Sequence, residues 1–542
     1  MAHIFDSDSG DESDFSGFGE SDIEVPVDHS SDSESSSDED EPARADGWTG
    51  NFTNLRFDDF VEQPGPNLPD GFDTTTAKPL DYFWLMFPVE LIRKLVEYTN
   101  AYATWKMVET GRVDDKWDDV TESEMRAFLG INILMGINQL PECDMFWSKD
   151  PYIGNPGVQQ AMTCNRFQKI SRYFHASDRA AQPRRGEAGY DKLYKIREVL
   201  RTVSDAFLRG FTLSREVSVD EAMIKFSGRL AFRQYMPAKP IKRGIKIWML
   251  CDAKSAYLSK FDVYLGRQEN RTEHGLGYNV VTKLTDHLRN TFRWIFFDNY
   301  FTSLPLLQHL LDIGLYACGT VRVNRQGFPK DLKKPRNMTN RGDLKVLQYG
   351  DTNLTATVWK DKRLVHHLST LSDPRDVRDA QRRVGREVVH LRQPHTVFSY
   401  NQYMGGVDLH DQFRAKYNVG RCSKKWWTYL FWFCLNCAIV NAHIIYKATS
   451  TRLTKKKRFT QLDFRQELLR DLIGGFSKRK RSIGDIRNRL VPVNEENIGG
   501  HINSRLPGPK TTCINSAFSP NILYGDSVQI TYLSVLVISN QY

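Results

Sequence analysis

The chain has 542 residues, 40% of them hydrophobic, and its 74 Lys and Arg against 66 Asp and Glu give a formal net charge of +8. This length is too great for one simple core and predicts roughly three domains, while the apolar content excludes a chain that is disordered throughout. Eight scattered cysteines without a secretory signal predict a reducing compartment rather than a disulfide-stapled extracellular protein.

Charge is distributed unevenly along the chain. Residues 1–46 contain sixteen Asp and Glu against one basic residue, Arg44. Such a segment buries too little apolar surface to offset its ordering entropy, so we predict a disordered acidic region, drawn over residues 1–79. The rest of the chain beyond residue 46 holds 73 basic and 50 acidic residues, a formal charge of +23. That excess predicts a polyanionic partner, nucleic acid before an anionic membrane, because no membrane-spanning run or lipidation signal accompanies it.

The first predicted elements are helices. Pro88 begins one, and Thr121 with Glu124 forms a capping-box pair at the start of another. A third helix is predicted over residues 165–174, with apolar residues on one face and basic residues on another. Two interpretations of that basic face stay open, a track for a phosphate backbone and a solvated surface. Its members are Arg166, Lys169 and Arg172.

From Glu216 the pattern becomes β-rich with interspersed helices, which predicts a mixed α/β sheet. The strands are predicted over residues 217–226, 245–250, 256–265, 294–297 and 316–323, and the helices over 282–288 and 303–314. Residues 324–394 are polar and basic and resemble an insertion, with a strand at 355–359. Helices are then predicted over 408–417 and 424–446. The second is strongly aromatic, and its Trp426, Trp427, Trp432 and Phe433 fit a core better than a base-stacking surface.

Three acids stand where separate elements of the sheet could bring them together. Asp220 interrupts an apolar strand, Asp298 follows the buried run 294–297, and Asp408 begins a helix, with Asp411 one turn later. Each alone also fits an ordinary role: an exposed strand residue, a turn residue or a helix N-terminal acid.

Together the acids indicate phosphoryl transfer. Two divalent ions about 3.5 to 4 Å apart, clamping the attacking and leaving oxygens, require carboxylates brought from several elements to one point. Oxygen ligands suit Mg²⁺ or Mn²⁺, whereas zinc is not expected because no His and Cys cluster accompanies the acids. Asp408 is favoured over Asp411 as the third ligand by its place after Gly405 and Gly406, although both lie within reach of one site.

An ordered series of motifs resembles that of the piggyBac transposases over roughly residues 80–490. The motifs are Ser218–Glu221, Tyr235–Lys246, Phe297–Ser303, Gly319–Arg322 and Tyr400–Gln412. The resemblance implies an RNase H-like mixed-sheet catalytic core interrupted by an insertion domain and flanked by an α-helical dimerisation and DNA-binding domain. The implied divisions are 80–215 helical, 216–323 core, 324–394 insertion, 395–417 core, 418–490 helical and 491–542 an atypical tail.

The same resemblance implies metal-dependent DNA strand cleavage and transfer at TTAA sites. The catalytic residues would be Asp220, Asp298 and Asp408, with Asp411 as a fourth metal ligand. The implied partners are double-stranded DNA, carrying terminal inverted repeats and a TTAA target, and a second copy of the chain. Phosphate contacts would come from a basic hairpin, which could also be only a solvated surface. Its residues are Lys239, Lys242, Arg243 and Lys246.

Other segments weaken or extend this interpretation. Residues 491–542 lack the cysteine-rich zinc domain typical of the family, and Cys434 and Cys437 lie in an apolar helix where a structural role is expected. The alternatives are therefore a domesticated, catalytically idle DNA-binding protein, or an RNase H-like nuclease acting on RNA hybrids. Basic runs at 455–458 and 478–481 predict nuclear localisation.

Overall fold

The computed structural model describes residues 47–477 apart from 54, 238, 267–273, 385, 421 and 451–458. Its strands are β1 (Trp48–Thr49), β2 (Gly65–Pro66), β3 (Phe211–Thr212), β4 (Glu216–Lys225), β5 (Gln234–Tyr235), β6 (Arg243–Asp252), β7 (Leu258–Val263), β8 (Trp294–Phe297), β9 (Tyr316–Thr320), β10 (Leu344–Tyr349), β11 (Thr355–Lys360), β12 (Leu364–Ser369), β13 (Val377–Val384) and β14 (Glu387–Pro394).

Helices surround these strands. They are α1 (Pro79–Met86), α2 (Val89–Thr110), α3 (Glu122–Ile137), α4 (Pro156–Ala161), α5 (Cys164–Tyr173), α6 (Tyr194–Gly210), α7 (Leu276–Thr285), α8 (Leu304–Asp312), α9 (Lys330–Lys333), α10 (His395–Tyr403), α11 (Gly406–Lys416), α12 (Trp426–Thr449) and α13 (Gln461–Ile473). Short 3-10 turns occupy Asp144–Trp147 and Asp286–Leu288.

One mixed sheet organises the described residues. Its order is β1-β10-β11-β12-β9-β8-β4-β6-β5, with β7 also pairing with β6. Strand β4 is antiparallel to β6 and parallel to β8, and β8 is parallel to β9. Helices α7 and α8 provide the crossovers that parallel neighbours require. The sheet confirms the expected mixed α/β fold.

The segment expected to be an insertion continues the same sheet. Strand β12 pairs with β9, His367 lying opposite Thr320, and β11, β10 and β1 follow in order. This pairing covers the β9 edge, which would otherwise present a row of unpaired backbone groups. Strands β13 and β14 form a separate two-stranded sheet. The proposed domain divisions stay predictions.

We predicted disorder over residues 1–79, but the structure describes residues from 47 onward, and several of them pack against the rest of the protein. Residues 1–46 lie outside the described residues, but β1 pairs with β10. The Trp48 ring meets Tyr349 edge to face at 5.1 Å, and Phe72 meets Tyr82 at 5.0 Å. The difference arises because the dense acidic composition ends at Asp46, and the aromatic residues that follow have apolar surface to bury.

Helix α12 is the central helix of the core. It is long and apolar enough to cross a membrane by length and composition, yet 89% of its most apolar window is buried within the protein. Cys434 and Cys437 are completely buried, as are almost all atoms of Trp427 and Phe433. The core interpretation of these two aromatic residues and the structural role of the two cysteines are confirmed, because none of them reaches a surface on which DNA bases could stack.

The predicted basic face of α5 is internal in part. Arg166 is buried and donates two hydrogen bonds to the Glu124 carboxylate, at 2.8 and 2.6 Å. Lys169 forms an ion pair with Asp114. These two side chains therefore serve the packing of α5 against neighbouring elements, and neither phosphate tracking nor a solvated surface describes them.

Candidate active site

Asp220 lies near the middle of β4, a strand buried along almost its whole length. Its side chain is 14% exposed, and its Oδ1 accepts a hydrogen bond from the Glu221 backbone N–H at 2.8 Å. Met249 on β6 is its register partner. A carboxyl group in this position is held rigidly by the sheet.

Asp298 directly follows β8, the parallel neighbour of β4. The register pairs Ser218 with Phe296, so two residues further along, Asp220 and Asp298 stand at the same level of adjacent chain segments. The Asp298 carboxylate accepts a hydrogen bond from the Tyr300 backbone N–H at 2.9 Å. Its carbonyl accepts one from the Thr302 hydroxyl at 2.8 Å. The turn after the strand is thereby fixed around the acid.

Asp408 comes to the same place from the first turn of α11, which packs on β4 and β6. The approach is close: a Cβ on Gly406 would lie 2.5 Å from the Ser218 Oγ and 3.0 Å from the Ala253 Cα. His410 anchors the next turn through a 2.9 Å hydrogen bond between its Nδ1 and the Ala256 carbonyl. Glycine at 406 is therefore a packing requirement that lets the start of the helix reach the sheet.

The charges of Asp298 and Asp408 both act on the Asp220 carboxyl group. Burial raises the pKa of Asp220 well above its usual range, and the negative charges of Glu221, Asp298 and Asp408 add to the increase. Burial, followed by the charge of Glu221, raises the pKa of Asp298. Burial also raises the pKa of Asp408, with a contribution from Asp411. The structure thus brings together the three acids that the sequence singled out, while Asp411 is held by Arg414 at 3.0 Å.

A lysine lies among these carboxylates. The Lys239 Nζ is 2.9 Å from the Glu221 Oε1 and 4.0 Å from the Asp220 Oδ2. Burial opposes the charged form of Lys239, but Asp220 and Glu221 outweigh it and raise the lysine pKa. Glu221 was missed by sequence reasoning, although an acid adjacent to Asp220 in a buried strand was a usable signal.

The four residues expected to contact phosphate fall into two pairs. Lys239 and Lys246 both approach Glu221, and the Lys246 Nζ also lies 3.9 Å from the centroid of the Trp248 ring. Lys242 and Arg243 are exposed where the β5–β6 hairpin returns to the sheet. The second pair is accessible to a polyanion, whereas the first pair serves the internal charge balance of the cluster.

Arg325 stabilises the loop after Asp298, a role that sequence reasoning did not assign. It donates to the Asn299 carbonyl at 3.1 Å, the Thr302 carbonyl at 3.0 Å and the Tyr300 carbonyl. Arg322 adds a 3.2 Å bond to the Asn299 side chain. A cavity of about 200 Å³ lies beside this loop. Its lining includes Tyr278, Tyr300, Phe301, Arg322 and Arg325.

A divalent metal is the cofactor that this donor set implies. Asp220, Asp298 and Asp408 offer only carboxylate oxygens, the ligands that Mg²⁺ and Mn²⁺ prefer, and their mutual repulsion favours a cation. Among the described residues no three His, Cys, Asp or Glu side chains form a ready-made metal site. The Lys239 ammonium group also supplies positive charge to the cluster. The three carboxylates therefore fit a hard cation chemically.

Comparison with known proteins decides the family. A family model described as Transposase IS4 matches residues 78–443, which is more than half of the chain. The chain belongs to this family. The matched range begins at α1, includes β4, β8 and α11, and ends within α12, so it contains all three acids.

Relatives place the chain among the piggyBac type of this family. Human PiggyBac transposable element-derived protein 3 is 30% identical over 398 residues, covering 70% of this chain but 63% of that protein, less than two thirds of its length. Human PiggyBac transposable element-derived protein 5 is 26% identical over 434 residues, covering 76% of this chain and 80% of that protein. The cryo-EM structure of the piggyBac transposase synaptic complex with hairpin DNA matches with a TM-score of 0.66 and 28% identity, over 83% of this chain and 90% of that chain.

Proposed function

We propose that this chain is a DNA transposase that binds duplex DNA and catalyses metal-dependent strand cleavage and transfer at TTAA sites. The observation that carries the proposal is the convergence of Asp220, Asp298 and Asp408, whose charges are close enough to raise the pKa of Asp220. They come from two parallel chain segments and a helix. The related solved structure, which contains a piggyBac transposase with hairpin DNA, supports DNA as the substrate.

In this proposal the protein supplies rigid positioning and charge rather than a covalent nucleophile. Asp220, Asp298 and Asp408 would hold Mg²⁺ or Mn²⁺, which when bound neutralises developing charge on the attacking and leaving oxygens. Asp298 is oriented by its hydrogen bond from Tyr300, at 2.9 Å, and by the loop that Arg325 stabilises.

Lys239 has a separate role in the proposal. Its ammonium group offsets the carboxylate charges while the protein is free of metal, because it lies 2.9 Å from Glu221 and 4.0 Å from Asp220. Its charge favours the ionised forms of all three acids and so reduces the repulsion among them. Lys242 and Arg243, which are exposed, are better placed than Lys239 to contact a phosphate backbone.

Cleavage of a donor duplex tests the proposal. The duplex carries terminal inverted repeats flanked by TTAA, and the full chain is compared with Asp298→Asn in Mg²⁺. Asp312→Asn is the matched control because Asp312 is exposed at the end of α8, away from the cluster. We expect nicking by the wild type and the control, and none by Asp298→Asn.

Two other outcomes have definite meanings. Equal nicking by wild type and Asp298→Asn overturns the assignment of the acids. DNA binding without nicking by any of the proteins supports the alternative of a domesticated, catalytically idle DNA-binding protein. Homodimer formation and nuclear localisation are parts of the proposal that need their own measurements, by light scattering and by imaging of the tagged chain. The basic runs at 455–458 and 478–481 lie outside the described residues.

A further inference from the structure

The two-stranded sheet formed by β13 and β14 is a ribbon whose base is attached to the rest of the protein. Eight residue pairs align its strands, from Val377 opposite Pro394 to Val384 opposite Glu387. The Trp359 indole N–H donates to the Arg392 carbonyl at 2.8 Å. The His395 backbone N–H donates to the Asp376 carbonyl at 2.9 Å. At 3.3 Å per residue, eight residues extend about 26 Å from this base.

One face of the ribbon packs on the protein. Ala380 and Leu391 lie opposite each other on that face and are 6% and 5% exposed. The Arg378 guanidinium lies 3.9 Å from the centroid of the Phe398 ring. Further along the same face, the Arg382 Nε is 3.6 Å from the Asp361 Oδ2. This inner face is thus committed to contacts within the chain.

The other face is exposed to solvent. Alternation along a strand places its side chains opposite to those of the inner face. It consists of Asp379, Gln381 and Arg383 from β13, with Arg392, His390 and Val388 as their respective partners on β14. In the described part of the chain, no carboxylate lies within ion-pair distance of Arg383 or Arg392. The single acid of the face, Asp379, is outnumbered by these two arginines.

We propose that this outer face lies in the major groove of duplex DNA and reads base edges there. The major groove is about 12 Å wide and admits a two-stranded β-ribbon, whose strands are about 4.8 Å apart. Arginine and glutamine are the side chains whose geometry matches the exposed edges of guanine and adenine. The inference extends the proposed function, on which it depends, by assigning a DNA contact to residues other than the three acids.

Adjacent arginines on opposite faces provide a matched pair of variants. Arg383→Gln removes a positive charge from the outer face, and Arg382→Gln removes one from the inner face. The probe is a pool of short duplexes with a central TTAA and randomised flanks, bound by the full chain in EDTA so that cleavage does not interfere. We expect Arg383→Gln to lower the affinity for the wild-type-selected duplex about tenfold and to relax the selected flanks. Arg382→Gln leaves both unchanged.

A chemical readout tests the groove directly. Dimethyl sulfate modifies guanine N7 in the major groove, and we expect protection of a guanine by the wild type and Arg382→Gln that disappears with Arg383→Gln. Equal effects of the two variants, or no effect from either, overturn the proposal. If the wild type binds no DNA at all, both the proposed function and the ribbon assignment fail. If the wild type cleaves DNA and Arg383→Gln changes nothing, only the ribbon assignment fails.

Discussion

The Lys239 ammonium group lies 2.9 Å from the Glu221 carboxylate, and it brings a positive charge into the cluster of acids. Lys239 comes from the loop between β5 and β6, whereas Glu221 belongs to β4. The pair therefore connects the hairpin to the strand that carries Asp220. Because Lys239 is 29% exposed and Glu221 only 8%, solvent screens this ion pair less than it screens a pair on the open surface.

Lys239→Met should destabilise the metal-free protein. Removing the ammonium group leaves Glu221 and Asp220 without their nearest cation, at a cost of about 1 to 2 kcal/mol in the free energy of unfolding. Thermal melts in EDTA and in Mg²⁺ measure the effect, and we expect Mg²⁺ to raise the Tm of the variant more than that of the wild type. Lys242→Met, in the exposed part of the same hairpin, is the control. Equal Tm changes for the two variants would contradict the role given to Lys239.

Asp298→Asn should stabilise the metal-free protein near neutral pH. Burial and the charge of Glu221 raise the folded-state pKa of Asp298 above its ordinary value of about 3.8. A raised carboxyl pKa favours folding at low pH, and this contribution is lost as the pH rises through the folded-state value. The asparagine side chain does not ionise, so the variant avoids this loss of stability, and its amide oxygen can still accept the hydrogen bond from the Tyr300 backbone N–H. In EDTA we expect a higher Tm than wild type near pH 7 and the same Tm near pH 3. A lower Tm near pH 7 would falsify the electrostatic account.

Gly406→Ala should disable the site through displacement of α11. The new Cβ would lie 2.5 Å from the Ser218 Oγ and 3.0 Å from the Ala253 Cα, so the helix must shift away from the sheet. We expect about 1 to 3 kcal/mol of destabilisation and about a hundredfold slower cleavage. Gly405→Ala is the control, since a Cβ there meets nothing within 4 Å. Similar cleavage rates for the two variants would show that the close approach of Gly406 is not needed.

Arg325→Lys should loosen the loop after Asp298. A lysine cannot reproduce the planar fork that donates to the carbonyls of Asn299, Tyr300 and Thr302. Backbone amides of residues 299–303 should exchange hydrogen faster, and cleavage should slow about tenfold. Hydrogen exchange is the deciding measurement because it does not depend on activity. Unchanged exchange with slow cleavage would assign Arg325 a direct contact with DNA instead.

Local pattern was sufficient for much of this architecture. Alternation and the buried run at 294–297 predicted β4 and β8, and the aromatic stretch from residue 424 predicted a core helix, because burial imposes a short-range periodicity on the chain. The motif series predicted the three acids, and the parallel register of β4 and β8 explains why Asp220 and Asp298 meet.

Tertiary structure alone decided which charges face one another. Nothing local distinguishes Arg382, which approaches Asp361, from Arg383, which faces solvent, or indicates that Arg166 is buried against Glu124. Tertiary structure likewise showed that β12, in the segment 324–394 predicted to be an insertion, pairs with β9 and so extends the main sheet. Hydrophobic burial is encoded by neighbours in sequence, whereas the pairing of a charge depends on residues far away in the chain that only folding brings within a few ångströms.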